Sequence, residues 1–398
     1  MRRISIGCAA MSALATTAGM QSALAGGYDA ELEAIKKHGD VLVLAEGPRR
    51  LAVSRAFQGR VMFASWGGPN APAIGWVNHD LVGKPEDTDA QFNNYGGAER
   101  FWLGPEGGQF ALYFKQGAKQ ELSNWFVPKG FNAGPFIEVK SSANAIDLAV
   151  LEMKIENASG TQFTTPVSRS IQMILQRDVE KITGPLSSDI QWVAYYSNNK
   201  IRNDGMKPWT PETGTIGLWI LDMFEAGPNT WVVAPYNTAG SGPIVKDDYF
   251  GKVPADRLRQ VKDKPVLLFK ADGKLRSKIG LGPTRATGVI GSIDLDRNIV
   301  IIVSFKLPPD EKRYVNNAWE VPQVDPYAGD VIQSYNDGGA GFYEVETSSP
   351  AAFLKPGEIQ GHVVHNVYLT GPPDQLNDIV QKVFGLSLAD IRATVEAK

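Results

Sequence analysis

Short apolar runs separated by polar turn residues make up most of the chain from Val41 onward. The runs are rich in β-branched and aromatic side chains, which favour strands. Glycine, proline, asparagine and aspartate lie between the runs, as is typical of turns. The pattern predicts strands, among others, at residues 41–45, 110–114, 216–220, 230–234, 265–269 and 299–305.

Helical spacing of apolar residues is confined to the two ends of this region. Residues 30–38 predict a short helix, and residues 375–384 predict a second one that ends at Gly385. Residues 388–397 predict a third helix. Many strands without helices between them indicate an all-β sandwich or barrel rather than an alternating α/β fold. One large sandwich is the simplest interpretation, and two smaller sandwiches also fit the length.

The first residues carry the pattern of a secretory signal peptide. Arg2 and Arg3 precede an uncharged apolar stretch, and the small residues at 23–25 match the requirement of a signal peptidase. We therefore expect a cleaved signal at residues 1–25, a single β-domain at residues 26–398, and a periplasmic or secreted protein.

Cysteine content and charge narrow the classes of partner and cofactor. Cys8 is the only cysteine and lies in the predicted signal, so the mature chain would have no disulfide and no thiolate metal site. The 40 basic and 43 acidic residues are spread evenly, which argues against a nucleic-acid or anionic-membrane partner. No apolar run reaches the roughly 18 residues that a membrane span needs. The oligomeric state stays open.

Aromatic and polar residues occur together in five segments, at 96–110, 195–209, 247–256, 314–330 and 334–350. Sugar sites use this combination, because a ring covers the C–H face of a pyranose while planar polar groups bind its hydroxyls. Ordinary turns and core aromatics are the alternative interpretation. The candidate sugar-binding residues are Arg100, Trp102, Glu106, Asn198, Trp319, Asn336 and Asp337.

Two glutamates near the C-terminus are the clearest candidates for chemistry. Side chains alternate along a strand, so Phe342, Glu344 and Glu346 would share one face. Tyr343 and Thr347 would point to the other face. Two carboxylates about 7 Å apart, from a rise of ~3.3 Å per residue, suit acid/base catalysis or a hard cation. A solvated strand face is the alternative.

Histidines and aspartates supply further candidates. His362 is a candidate general acid, whereas His365, three positions later, would face the opposite way in a strand. A paired histidine metal site is therefore not expected. Asp325, Asp330 and Asp337 lie among glycines and asparagines, and such oxygen-rich loops can hold Ca²⁺, although ordinary turns explain them as well. We predict no other cofactor.

Four stretches, at 59–62, 99–108, 248–252 and 342–350, resemble an exported bacterial family of unknown function, DUF6786. That family is similar in organisation to the galactose mutarotase-like β-supersandwich. The resemblance implies a supersandwich with a short N-terminal helix, C-terminal helices and a concave sugar-binding face.

The same resemblance implies roles for individual residues. In mutarotases, a glutamate late in the chain takes a proton from the anomeric hydroxyl and a histidine donates to the ring oxygen. The glutamate would here be Glu344 or Glu346, and the retained histidine would be His362. Val364 and Tyr368 stand where the family's last strand has further histidines.

Three functions follow as hypotheses. The first is a carbohydrate-active enzyme without a cofactor, of epimerase, lyase or glycoside hydrolase type, with Glu344 or Glu346 at the floor of a pocket. Its neighbours there would be Arg100, His362 or Lys278. The second is a non-catalytic carbohydrate-binding protein of the cell envelope, with a shallow aromatic platform. The third is a partner-binding envelope protein, which predicts no pocket at the two glutamates.

Overall fold

The computed structural model describes residues 27–37, 39–68, 71–82, 89–132, 134 and 136–397. The predicted signal at residues 1–25 lies outside them. Short helices occur near both ends of the described chain and twice between them. They are α1 (Gly27–Lys36), α2 (His79–Val82), α3 (Gln176–Thr183), α4 (Pro373–Phe384) and α5 (Leu388–Glu396).

Strands form most of the regular structure. In chain order they are β1 (Val41–Glu46), β2 (Arg49–Ser54), β3 (Arg60–Ser65), β4 (Arg100–Gly104), β5 (Ile137–Ser141), β6 (Ala145–Glu156), β7 (Gln162–Met173), β8 (Gln191–Arg202), β9 (Gly217–Glu225), β10 (Thr230–Pro235), β11 (Leu258–Gln260), β12 (Val266–Lys270), β13 (Ser277–Leu281), β14 (Val289–Asp294), β15 (Ile299–Phe305), β16 (Ile332–Asn336), β17 (Phe342–Ser348) and β18 (Ile359–Thr370).

The strands form antiparallel sheets of three, ten and five strands. Their orders are β1-β2-β3, then β11-β12-β10-β14-β15-β18-β8-β7-β6-β5, and β13-β16-β17-β9-β4. The all-β prediction is confirmed, together with the helices at the N- and C-terminal ends. Strand β17 is the middle strand of the five-stranded sheet, whereas β4 and β13 are its outermost strands.

The two larger sheets pack face to face, which the residues between them show directly. The rings of Phe224 and Tyr368 lie 5.4 Å apart, and the hydroxyls of Ser292 and Tyr343 are 2.6 Å apart. These contacts use one face of the five-stranded sheet. The opposite face of that sheet is therefore free to line a cavity.

Two predictions of secondary structure are wrong. Residues 110–114 form turns rather than a strand, with backbone bonds from Ala111 to Gly108 and from Leu112 to Pro105. Their apolar character comes from burial in the core. Helix α3 lies between β7 and β8, although no helix was predicted there; only Val179 and Thr183 of α3 are buried, so its apolar signal is weak.

Helices α3, α4 and α5 share a second apolar cluster with the ten-stranded sheet. Val179, Ile379 and Ile391 contribute to it from the helices, and Trp192 and Trp231 from strands. This cover buries part of the sheet's outer face. Within the described residues, no helix is both long and apolar enough to cross a bilayer.

A buried polar cluster lies between the two larger sheets. Glu99 pairs with Arg169, and Asn366 donates to Glu99 at 2.8 Å. Arg169 also donates to Asn199 at 3.0 Å. Asp222 is buried beside them, and neither of its carboxyl oxygens has a hydrogen-bond partner among the described residues. Burial, together with the nearby charge of Glu99, raises the pKa of Asp222 well above its usual value.

Candidate functional site

The outward face of the five-stranded sheet forms the floor of a cavity of about 360 Å³. This volume lies in the usual range of small-molecule sites, which are concave and lined by aromatic groups with a few polar ones. Its aromatic lining is Trp76, Phe92, Trp102, Trp125, Trp219, Phe250, Trp319, Tyr335 and Phe342. Its polar lining is Asn78, Asn94, Arg100, Glu106, Arg276, Lys278, Asp337 and Glu344.

Strand alternation places the charged groups on this floor. Phe342 and Glu344 of β17 line the cavity, whereas Tyr343 and Thr347 point toward the ten-stranded sheet. The neighbouring strand β9 contributes Trp219, directly opposite Trp102 of β4 in the ladder. The floor is therefore built by residues that are far apart in the sequence.

Arg100 and Glu344 form a buried ion pair in the cavity. The Nη2 group of Arg100 donates to Oε1 of Glu344 at 2.8 Å. The guanidinium also lies 4.1 Å from the ring centre of Trp102. Burial is the main cause that raises the pKa of Glu344, to about 7, while the charge of Arg100 opposes the rise. Glu344 can therefore both accept and donate a proton near neutral pH.

Glu346 lies deeper, next to Lys278. Its Oε2 accepts from Nζ of Lys278 and from Nε1 of Trp219, both at 2.9 Å. The side chain of Glu346 is fully buried, and its Oε1 has no hydrogen-bond partner among the described residues. Glu346 thus holds the ammonium group of Lys278, which lines the cavity.

Loop residues complete the wall of the cavity. Nε1 of Trp125 donates to Oε1 of Glu106 at 3.0 Å, and the ring of Trp125 stacks on that of Trp319 with centres 6.3 Å apart. Burial is the largest cause that raises the pKa of Glu106, and the charge of Lys278 opposes it. Glu106 is therefore a second carboxyl group that holds its proton more tightly than usual.

The structure does not place His362 in the cavity, which corrects its predicted role as a proton donor there. The histidine lies between the sheets, where its Nε2 is 2.9 Å from Oγ1 of Thr347. Thr347 is on the face of β17 opposite to Glu344, so the sheet separates the two groups. Burial lowers the pKa of His362 to about 4. His362 is therefore neutral and structural at neutral pH.

The two candidate asparagines also lie elsewhere. Asn198 is on β8 of the ten-stranded sheet, opposite Val363. Asn336 is buried and binds the backbone, accepting from the N–H of Gly273 at 2.9 Å and donating to Leu275 at 2.8 Å. Neither side chain lines the cavity, since one belongs to the other sheet and the other shapes a turn.

The predicted aspartate cluster does not converge on a cation site. Asp330 accepts from the hydroxyl of Tyr249, and Asp325 accepts from the backbone of Tyr327 at 2.8 Å. Asp337 lines the cavity, but its Oδ2 caps its own turn. Across the described ranges, no three His, Cys, Asp or Glu side chains are grouped as metal ligands.

Several residues that line the cavity are not predictable from the sequence. Trp76, Trp125 and Trp219 carry no local pattern that separates a cavity wall from a core. Arg276 precedes β13, and its position depends on where that strand joins the sheet. Knowledge of which strands pair would have identified these residues as part of one cavity, and the sequence alone does not supply it.

A wider surface depression of about 840 Å³ lies beside α5. Several of its charged residues, such as Lys262 and Asp263, are exposed, so water screens their charges. It offers neither a buried ion pair nor an aromatic wall. The cavity on the five-stranded sheet is the stronger candidate because it has both.

Comparisons with known proteins identify a family. The model of a "Family of unknown function (DUF6786)" matches residues 26–395, and no curated protein matches the chain. Among solved structures, a galactose mutarotase-like protein from Lactobacillus casei ATCC 334 is 11% identical, with a TM-score of 0.46, and the match covers 83% of this chain and 100% of the other.

Two further structures are similar to the same extent. The Slr1438 protein from Synechocystis sp. PCC 6803 is 13% identical, with a TM-score of 0.48 and coverage of 84% of this chain and 97% of the other. A galactose mutarotase related enzyme from Lactobacillus acidophilus is 10% identical, with a TM-score of 0.42 and the same coverages.

Proposed function

The chain belongs to the DUF6786 family of unknown function, and we propose that it binds a carbohydrate in the aromatic cavity, where Glu344 exchanges a proton with the sugar. The observation that carries the proposal is the Arg100–Glu344 pair at the floor of a cavity walled by tryptophans. A carboxyl group with a pKa of about 7 is suited to proton transfer at neutral pH.

The aromatic wall supports a sugar as the ligand. Trp125 and Trp319, which are only partly buried, offer apolar surface to the C–H groups of a pyranose. Asn94 and Arg100 line the same cavity and carry polar atoms that suit the hydroxyls. A purely apolar ligand would displace water from these polar groups without offering them hydrogen bonds in return, which costs free energy.

Two carboxyl groups supply the chemistry. Ionised Glu344 removes a proton from a sugar hydroxyl or an acidic C–H bond, and the nearby charge of Arg100 stabilises that ionised form. Glu106, whose pKa is also raised, is the candidate proton donor. Carboxyl groups held in different environments commonly divide acid and base roles in this way.

The experiment has a binding stage and a reaction stage. The protein is first screened by thermal shift against monosaccharides, uronic acids and oligosaccharides. A ligand at about 100 times its dissociation constant adds roughly 2.7 kcal/mol of stability. The sugars that bind are then incubated with the protein in D₂O and followed by proton NMR for exchange at carbon, epimerisation or bond cleavage.

A matched pair of variants tests the role of Glu344. Glu344→Gln keeps the shape of the side chain and should bind the sugar while losing turnover. Glu320→Gln removes the same charge at an exposed position outside the cavity and should behave as wild type. Binding without any reaction in the wild type would favour the non-catalytic carbohydrate-binding protein. The absence of binding to every sugar would overturn the proposal.

We also propose that the protein is exported. The basic start, the apolar stretch and the small residues at 23–25 support this location. N-terminal sequencing of protein recovered from the periplasm and the medium tests it. An N-terminus at residue 26 is expected, whereas intact chain in the cytoplasm alone would contradict export.

A further inference from the structure

Arg276 differs from the other two cations that line the cavity. Arg100 is paired with Glu344, and Lys278 with Glu346. Among the described residues, Arg276 forms no ion pair, although it lies in the same wall. Its side chain is exposed, so it stands at the mouth of the cavity rather than at its floor.

Aromatic contacts hold the guanidinium of Arg276 in place. Its Nε donates to the hydroxyl of Tyr335 at 3.2 Å, and its central carbon lies 4.0 Å from the ring centre of Phe250. Within the described chain, the Nη1 and Nη2 groups carry no hydrogen bond, so both remain available. Two parallel N–H donors of this kind match the two oxygens of a carboxylate.

We infer that the ligand is an acidic sugar, with a uronic acid unit whose carboxylate pairs with Arg276 at the mouth of the cavity. The inference rests on the proposed sugar site and narrows its substrate class. A neutral sugar would leave the guanidinium with water alone. A carboxylate would form an ion pair with Arg276, just as Glu344 pairs with Arg100 and Glu346 pairs with Lys278.

The neighbouring acidic groups favour a singly charged ligand. Asp337 also lines the cavity, but its Oδ2 is occupied by backbone donors of its own turn, including that of Gly339 at 2.7 Å. Glu106 and Glu344 add carboxyl groups to the wall. A doubly charged phosphate would meet more repulsion from these groups than a carboxylate would.

The test compares each uronic acid with its methyl ester, because the ester keeps the ring and removes the charge. Calorimetry measures the affinities of galacturonic and glucuronic acid, their di- and trisaccharides, and the corresponding esters. We expect the free acids to bind about tenfold or more tightly than the esters, as charge-assisted bonds do. The preference should weaken as salt concentration rises.

Variants assign the preference to one residue. Arg276→Gln should remove most of the difference between acid and ester, chiefly by weakening the binding of the acid. Arg276→Lys, which keeps the charge but loses the fork, should retain part of it. Lys274→Gln removes a charge two residues away, at an exposed position outside the cavity, and should leave the preference intact.

The outcomes separate this inference from the proposed function. Neutral sugars that bind as tightly as the acids, or a preference that survives in Arg276→Gln, would overturn the acidic ligand and leave the sugar site standing. If no sugar binds at all, both fail. A preference that is lost in Arg276→Gln and kept in Lys274→Gln supports both.

Discussion

The side chain of Arg100 reaches over strand β9 to Glu344, which lies two strands away in the five-stranded sheet. In the ladders, Arg100 is opposite Leu221 and Glu344 is opposite Met223. The pair is nearly inaccessible to water in the folded chain and yet lines a cavity. The protonation state of Glu344 should therefore control the activity of the cavity.

The first prediction concerns the pH dependence of activity. Since the pKa of Glu344 is raised to about 7, a reaction in which Glu344 is the base should follow a midpoint near pH 7, with the activity lost on the acidic side. Initial rates measured from pH 5 to 9 check this. Glu344→Gln should reduce turnover about 10²- to 10⁴-fold. A flat profile in wild type would contradict the role of Glu344.

The second prediction concerns the partner of Glu344. Replacing Arg100 by Gln removes the charge that lowers the pKa of Glu344, so the midpoint of the pH profile should rise by about one to three units. Arg276→Gln, which alters an arginine of the same cavity without touching Glu344, should leave the midpoint near 7. An unchanged midpoint in Arg100→Gln would show that the ion pair does not set this pKa.

The third prediction concerns the aromatic wall. Trp319→Ala removes the ring that stacks on Trp125, and the affinity for a bound sugar should fall about fivefold, equivalent to about 1 kcal/mol. Phe126→Ala serves as the control because Phe126 is exposed and lies outside the cavity. Calorimetry measures both affinities. Equal affinities in the two variants would argue against sugar stacking at Trp319.

The fourth prediction concerns His362. Burial holds its pKa at about 4 in the folded chain, below the ordinary 6.5. The unfolded chain therefore binds more protons between these pH values, and stability falls as pH drops from 6.5 toward 4. His362→Asn should reduce this acid-induced loss by about 3 kcal/mol, measured by urea unfolding at pH 7 and pH 4.

The same variant separates structure from chemistry at this position. Sugar binding and turnover at pH 7 should persist in His362→Asn, because the histidine lies behind the sheet. His365→Asn, on the other face of β18, is the comparison and should change acid stability less. Loss of turnover in a fully folded His362→Asn protein would show that the histidine takes part in the reaction.

The fifth prediction concerns Asp222. Its pKa is raised in the folded chain, so the folded chain holds a proton that the unfolded chain releases above about pH 4. Stability is therefore lost as pH rises from there. Asp222→Asn removes this penalty and should raise the unfolding free energy at pH 8.

Two comparisons complete this test. The gain from Asp222→Asn should be smaller at pH 4, where the carboxyl of the unfolded wild-type chain is still about half protonated, than at pH 8, where it is ionised. Asp310→Asn, at an exposed position, should have little effect at either pH. A destabilised Asp222→Asn protein at pH 8 would show that the charged carboxylate is needed in the folded chain.

The sequence predicted what local periodicity determines. Alternation along one strand was enough to put Glu344 on a different face from Thr347, and apolar runs located β1, β9, β10, β12 and β15. The same reasoning failed at residues 110–114, where burial without strand pairing produced the same composition. Apolar content reports burial, whereas backbone pairing decides between strand and turn.

The partners of the glutamates depend on strand order, which is not local. Arg100 and Glu344 are 244 residues apart, and Lys278 and Glu346 are 68 apart. His362 looked equivalent to these residues in the sequence, but β18 belongs to the other sheet. The sequence pattern around a buried structural histidine is the same as that around a catalytic one until the strand is assigned to a sheet.

The middle strand of the five-stranded sheet forms ion pairs with both edge strands. Glu344 and Glu346 of β17 bind Arg100 of β4 and Lys278 of β13, the two outermost strands. Each ion pair therefore ties the centre of the sheet to one of its edges across the floor of the cavity. Breaking one ion pair should therefore change the shape of the cavity on that side and leave the other side unchanged. The selectivity for substrates can then be altered on one side of the cavity at a time.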